Sequence, residues 1–511
     1  MKLGRTKKIV LNTTISMVGY LISATMNFIY RTIFIHSLGN VYLGIQGLFI
    51  NIISLLSLAD MGISSAITFS MYKPLSQNNT ELITTLIAFY RKVYRIIAIV
   101  VLAIGFVILP FIDFFIDKRP DIPESLEVIF ILYVINSVFT YISISNHSIL
   151  NADQNEYIIT LFNNALLVIR TIIQIVWVFK VGTFIPTLII QFICTLAGNV
   201  LISIIARNKY PYIKNKNKRK LSKENLKEIS EKIRAMFLYR VGAFVVNGTD
   251  NILMSKFIGI ATVGIYSNYT MLIGIIKTFT GYLCSSLTPS IGNHIAIKND
   301  NESKDEMHSI FNILYFMFFW ISSFTAVCLS SLLNPFITLW INDTYVLSEL
   351  IVLFIIINYY IYSMRRLMIV YRNALGLYIE AKYKPVIEAI INLVMSIVLL
   401  NYMGVLGIVV GTIISDVATG VWIEPYILYK KYFKTDMKKY WGKYFLYFLI
   451  TIIEIFVVMF LSKLIFKNTI LSFILICLIT VTLPNLVIIS LFNKTNEFAE
   501  CLKRVKTFFK K

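Results

Sequence analysis

At 511 residues the chain is long enough for several soluble domains, yet 57% of it is hydrophobic and only 15% charged, where globular chains average about 45–50% and about 25%. Apolar runs recur along its whole length and leave no stretch for a water-soluble domain. The net charge of +21 does not point to nucleic acid, because the lysines and arginines sit in short stretches between apolar runs.

A membrane-spanning helix needs about 20 mostly apolar residues. In chain order the candidates are Ile9–Ile35, Tyr42–Met71, Ile96–Ile112, Val128–Leu150, Ile158–Phe179, Phe184–Ala206, Ala235–Ser255, Val263–Gly292, Ile310–Leu332, Ile351–Val370, Pro385–Leu400, Val405–Tyr429, Tyr444–Leu461 and Ile470–Phe492. These runs are continuous rather than alternating, which predicts helices and not barrel strands. The basic Met1–Lys8 precedes the first run without a small-residue cleavage site, so that run reads as a retained span. The fold class is therefore an all-α polytopic membrane protein with about 14 transmembrane helices.

With the N-terminus in the cytoplasm and fourteen alternating spans, the cytoplasmic segments hold 38 of the 48 lysines and arginines. The opposite side holds six: Lys118, Arg119, Lys180, Lys256, Lys463 and Lys467. That asymmetry predicts both termini on the cytoplasmic side. The segment 207–234 is strongly basic and reads as a cytoplasmic linker facing anionic lipid. The five cysteines and four histidines are dispersed without metal-ligand spacing, so no metal or cofactor is expected.

Sliding the chain by 220 residues places Ser37–Ile45 on Phe257–Ile265, with Gly39 on Gly259 and Gly44 on Gly264. Further on, Ser65–Thr68 falls on Ser285–Thr288. The first two spans thus match the seventh and eighth. The predicted organisation is an N-terminal lobe over 1–206, a linker over 207–234, a C-terminal lobe over 235–430, and a helix pair with a basic tail over 431–511. Parallel repeats of this kind are a transporter architecture, with the substrate site expected at the repeat interface.

The ionisable residues within spans are Arg31, Arg170, Arg240, Lys277, Asp60, Asp250, Glu388, Asp416, Glu424 and Glu454. Each costs about 2.5–3.5 kcal/mol on the insertion scale if it faces lipid, so each must face a partner or a wet cavity. Mutual pairing is expected for Glu388, Glu424 and Glu454. At 1.5 Å per residue Arg240 lies about 8 Å, Arg170 about 18 Å, Lys277 about 21 Å and Arg31 about 33 Å into its span. Arg31, Arg170, Arg240 and Lys277 are the predicted substrate-binding cations, suited to a phosphate-bearing cargo. Asp60 and Asp250 are candidates for binding a coupling ion.

The passages LGNVYLGIQGLFINIISLLSLADMGISSAI (Leu38–Ile67), GTDNILMSKFIGIATVGIYSNY (Gly248–Tyr269) and NALGLYIEAKYKPVIEAIINLVMSI (Asn373–Ile397) resemble the polysaccharide-repeat-unit (Wzx-type) flippases of the multidrug/oligosaccharidyl-lipid/polysaccharide exporter superfamily. The resemblance covers essentially the whole chain. It implies two six-helix lobes around a central cationic cavity, with two further helices. It also implies export of an undecaprenyl-pyrophosphate-linked oligosaccharide across the bacterial cytoplasmic membrane for capsule, exopolysaccharide or O-antigen assembly. Partners would be that lipid-linked cargo, the bilayer, and polysaccharide polymerase and assembly proteins.

Two alternatives stay within the same superfamily. A cation-coupled multidrug exporter typically carries an acid in its first helix, whereas the first span here carries Arg31 and no acid. A peptidoglycan lipid-precursor flippase differs mainly in cargo. An enzyme would need convergent carboxylates or histidines outside the lipid, and the short outer loops show no such set.

Overall fold

The computed structural model describes residues 5–57, 63–214, 221–297, 301–375, 377 and 380–509, and among these no strand occurs. In the first part of the chain the helices are α1 (Arg5–Leu56), α2 (Ile63–Ser76), α3 (Thr80–Ile108), α4 (Leu126–Ala152), α5 (Glu156–Val181), α6 (Ile185–Lys209), α7 (Lys223–Phe257) and α8 (Ile260–Ile297). Then follow α9 (Asn301–Trp340), α10 (Glu349–Ala374), α11 (Lys384–Met403), α12 (Val405–Ser415), α13 (Val421–Leu428), α14 (Lys438–Ile465), α15 (Ile470–Phe492) and α16 (Asn496–Phe509). Each of the fourteen predicted spans falls on helix. The second runs over the end of α1 and onto α2, with 58–62 outside the described residues. Among the described residues ten helical stretches are long and apolar enough to cross a membrane, and eleven with the bent pair Leu126–Tyr141 and Ser143–Ala152.

Helix is the only open-ended solution here, because lipid offers no partner for an unpaired backbone N–H or C=O. The ends are set locally. The side chains of Asn79, Ser125 and Ser348 accept from the backbone N–H of Leu82, Val128 and Ile351, capping α3, α4 and α10. Gly182, in the left-handed region, closes α5. The surface is inverted relative to a soluble protein: Phe179, Phe460 and Leu486 are 80%, 63% and 65% exposed, while Asn268, Asn392 and Thr480 are fully buried. Such a girdle of large apolar side chains is the face a bilayer covers.

The chain divides into two compact units, Met1–Gly264 and Ile265–Lys511. In the first, α1 packs along α5 and α7, while α3 and α6 pack on α4. Gly19 lies directly against Asn164 of α5, whose Oδ1 accepts from Ser23 at 2.7 Å. In the second, α11 packs on α12, and α9 is flanked by α10, α14, α15 and α16. Its core there is aromatic: the Phe319 and Tyr447 rings stack 4.0 Å apart, and Phe316, Phe492 and Phe498 close around them.

The repeat read from the 220-residue shift has a physical counterpart inside the first unit. Gly39 (φ 80°) breaks α1, and Gly259 (φ 124°) separates α7 from α8; both conformations are ones that only glycine adopts at low cost. Five residues on from each, the helices touch through backbone. A Cβ on Gly44 would overlap the carbonyl of Ile260, and a Cβ on Gly264 would overlap the carbonyl of Asn40. Residues 40 and 260 are themselves 220 apart, so the two contacts are the same contact seen from either copy. Small residues let helices approach this closely in lipid.

Candidate functional site

Four helices of the first unit enclose a polar cavity. α1 supplies Asn27, Tyr30 and Gln46, α4 supplies Tyr133 and Asn136, α5 supplies Arg170 and Gln174, and α6 supplies Thr187 and Gln191. Two adjoining chambers of about 310 and 70 Å³ share Gln46, Arg170 and Gln191. Among the described residues no acidic side chain lines either chamber.

Glu124, brought close to this end of α6, is committed elsewhere. Its Oε1 accepts from the Phe184 backbone N–H at 2.7 Å, and its Oε2 accepts from the Tyr42 hydroxyl. The Gln174 amide donates to the Thr187 carbonyl at 2.8 Å, bracing α5 against α6. Three buried polar atoms of the lining, Nε of Arg170, Oδ1 of Asn136 and the Tyr133 hydroxyl, have no hydrogen-bond partner among the described residues. A guanidinium held among carboxamides and hydroxyls keeps its full charge and can grip an anionic or polyhydroxylated group.

A second cation site lies in the other unit. Lys277 on α8 places Nζ 4.6 Å from the centroid of the Tyr362 ring, and the Arg366 guanidinium carbon stands 5.6 Å from the same centroid. Attraction to a ring face holds a cation without neutralising it. Arg366 also has a buried Nε with no hydrogen-bond partner.

Other membrane charges are paired. Arg365 bridges Glu388 at 3.3 Å and Asp416; Arg372 meets Glu424 at 2.7 Å; Lys384 meets Glu388 at 3.0 Å and Glu424 at 3.3 Å. Three cations thus face three carboxylates, each with a side chain 10% exposed or less. Asp416 opens a π-helical turn, Asp416–Gly420. Gly420 lies against the Arg365 guanidinium, which a Cβ there would overlap. The glycine therefore admits the charge that pairs Asp416. Glu454 is buried on α14 and accepts from Ser323 of α9 at 2.7 Å, with Thr451 donating to the same serine at 2.9 Å.

Of the cations predicted from sequence, Arg170 lines the first-unit cavity and Lys277 belongs to the tyrosine-held pair. Arg31 follows Tyr30 on α1, half-buried, and is not among the residues lining that cavity. Arg240 lies on α7 with its side chain outside the described residues; Asp250 lies on the same helix, half-buried; Asp60 falls outside the described residues. Sequence reasoning did not single out Arg366: neither it nor Arg365 is among the ionisable residues named within spans, although both fall inside Ile351–Val370. The available signal was position: Arg365 and Arg366 sit roughly 24 Å along α10 from its first residue, deep enough to count with the other charges inside spans.

Residues 9–295, more than half of the chain, match the family described as "Polysaccharide biosynthesis protein". No curated protein matches the chain in sequence. Among solved structures, the lipid II flippase MurJ in its inward closed conformation is similar at TM-score 0.63 and 14% identity, over 94% of this chain and 98% of that one. An inward-facing multidrug resistance MATE family transporter of the MOP superfamily is similar at TM-score 0.61 and 13% identity, over 82% of this chain and 98% of that one. The Vibrio cholerae MATE transporter VcmN in its bent form gives TM-score 0.54 and 17% identity, over 84% and 98%. At these identities the likeness is one of fold. Continuous apolar helices, a 220-residue repeat with reciprocal glycine contacts, and a match over 9–295 together make the chain a multi-pass member of the polysaccharide biosynthesis protein family, built on the fold these transporters share.

Proposed function

We propose that the chain is a flippase that carries an undecaprenyl-pyrophosphate-linked oligosaccharide repeat unit across the bacterial cytoplasmic membrane by alternating access, for capsule, exopolysaccharide or O-antigen assembly. The observation that carries this reading is Arg170, a guanidinium in a cavity whose lining among the described residues includes carboxamides and phenols and no acid. A cation exporter wants the opposite lining. Lys277 and Arg366, both set against the Tyr362 ring, add two further cations of the sign such a cargo needs. In this reading Arg31, Arg170, Arg240 and Lys277 are the cargo-facing cations, both termini are cytoplasmic, and the cargo passes to polysaccharide polymerase and assembly proteins. Asp60 and Asp250 are the proposed coupling carboxylates; transport in proteoliposomes that ignores both proton and sodium gradients would remove them from that role.

The test is rescue of lipid-linked oligosaccharide export in a bacterial strain lacking its own flippase. Rescue by the wild-type chain and its loss in Arg170→Ala, at equal membrane abundance, is the expected result. Extrusion of cationic dyes without rescue would favour the multidrug alternative instead. A second reading, transport of a peptidoglycan lipid precursor, has one observation in its favour: the fold likeness to MurJ, described as a lipid II flippase. Parallel rescue of a strain depleted of its lipid II flippase separates the two.

A further inference from the structure

The first-unit cavity can be read more narrowly than as a generic anion site. Its chambers of about 310 and 70 Å³ fall at the small end of ligand sites, which run from roughly 300 to 1,000 Å³. Among the described residues five carboxamides line it (Asn27, Gln46, Asn136, Gln174 and Gln191), and Arg170 is its one charge. A pyrophosphate offers acceptors only, so the carbonyl half of every amide around it would be unused or repelled. It also carries more negative charge than one guanidinium offsets. A sugar ring both donates and accepts, which is what a carboxamide lining satisfies. The three buried atoms without protein partners have the same duality: Nε of Arg170 is a donor, Oδ1 of Asn136 an acceptor, and the Tyr133 hydroxyl both. A single carboxylate matches a single guanidinium in both charge and two-pronged geometry.

We infer that the Arg170 cavity is a glycan-reading subsite that holds one sugar residue of the cargo, with preference for a sugar bearing a carboxylate, and that the pyrophosphate is bound elsewhere. This rests on the reading of the chain as a saccharide carrier. Arg170 grips the carboxylate, while Gln46, Asn136 and Gln191 take the ring hydroxyls. Tyr30 and Tyr133 add ring surface to the lining.

The experiment is ligand-observed saturation-transfer NMR on the full-length chain in nanodiscs, with three soluble probes: a methyl glucuronide, a methyl glucoside and inorganic pyrophosphate. The wild type is expected to bind the glucuronide about tenfold more tightly than the glucoside, a preference of the size one charge-assisted fork supplies. Arg170→Gln should erase that preference and Arg170→Lys should keep part of it. Gln191→Glu, which adds a carboxylate to the lining that Arg170 shares, should weaken glucuronide binding more than glucoside binding and so erase the preference; it is the control if the arginine variants do not fold. Pyrophosphate competing with the glucuronide in the wild type, equal binding of the two glycosides, or binding of none of the three would each overturn the assignment. Because the probes are soluble and no transport is involved, that failure is distinct from failed export rescue, which would overturn the carrier reading itself.

Discussion

Neutralising Glu424 should destabilise the protein out of proportion to the one atom changed in Glu424→Gln. Glu424 is 1% exposed and faces two cations, Arg372 at 2.7 Å and Lys384 at 3.3 Å. At an effective dielectric of about 20, a unit pair at 2.7 Å is worth roughly 6 kcal/mol before desolvation. Removing the acid strands that charge without restoring its hydration, and broken buried pairs typically cost about 3–5 kcal/mol. Arg372→Met should cost a similar amount by stranding Glu424, although Lys384 still faces that acid. The double variant Arg372→Met with Glu424→Gln should cost clearly less than the two singles together, because neither charge is then stranded. Equilibrium unfolding in mixed detergent micelles supplies all four corners of the cycle. A single-variant cost below about 1 kcal/mol, the range of solvated surface pairs, or strict additivity would refute the reasoning. The six charges would then sit in water and not in a dry network.

Three further outcomes follow from the packing. Gly44→Ala and Gly264→Ala should each cost about 1–3 kcal/mol, the range for overpacking, and by nearly equal amounts, since each meets the other copy's carbonyl; a large inequality in thermal unfolding would break the reciprocity. Gly39→Ala should destabilise by roughly 1 kcal/mol because of its left-handed φ, whereas Gly274→Ala, mid-helix with open space at its Cβ, should stabilise by about 0.5–1 kcal/mol; melting curves of the pair give opposite signs or the argument fails. Lys277→Ala and Arg366→Ala should each lower lipid-linked saccharide transport in proteoliposomes by about tenfold or more, the worth of one charge-assisted contact, and full-rate transport by a well-folded Arg366→Ala would remove that residue from the site.

The helices were legible because lipid leaves no choice. About twenty apolar residues in a bilayer must satisfy their own backbone groups, and the described residues of the predicted runs are helical where expected. The turn at Gly39 and its copy at Gly259 were legible for a related reason, since glycine alone takes a positive φ without strain. Azimuth was not legible. Neighbouring residues on a helix differ by about 100° in direction, given 3.6 residues per turn, so Arg365 and Arg366 read alike in sequence. Only packing sent one to Glu388 and Asp416 and the other to Tyr362.

Arg170 shows the same division. Its presence inside an apolar run already demanded a partner or a wet cavity, because lipid would reject a bare guanidinium. That the answer is a cavity of carboxamides depended on Gln46, Asn136 and Gln191 arriving from three other helices. Their separation in sequence hides that convergence. Sequence alone determined that charge would be sheltered in these helices; the tertiary structure decided which charges neutralise one another and which line a cavity, because only the rotation of each helix against its neighbours sets who faces whom.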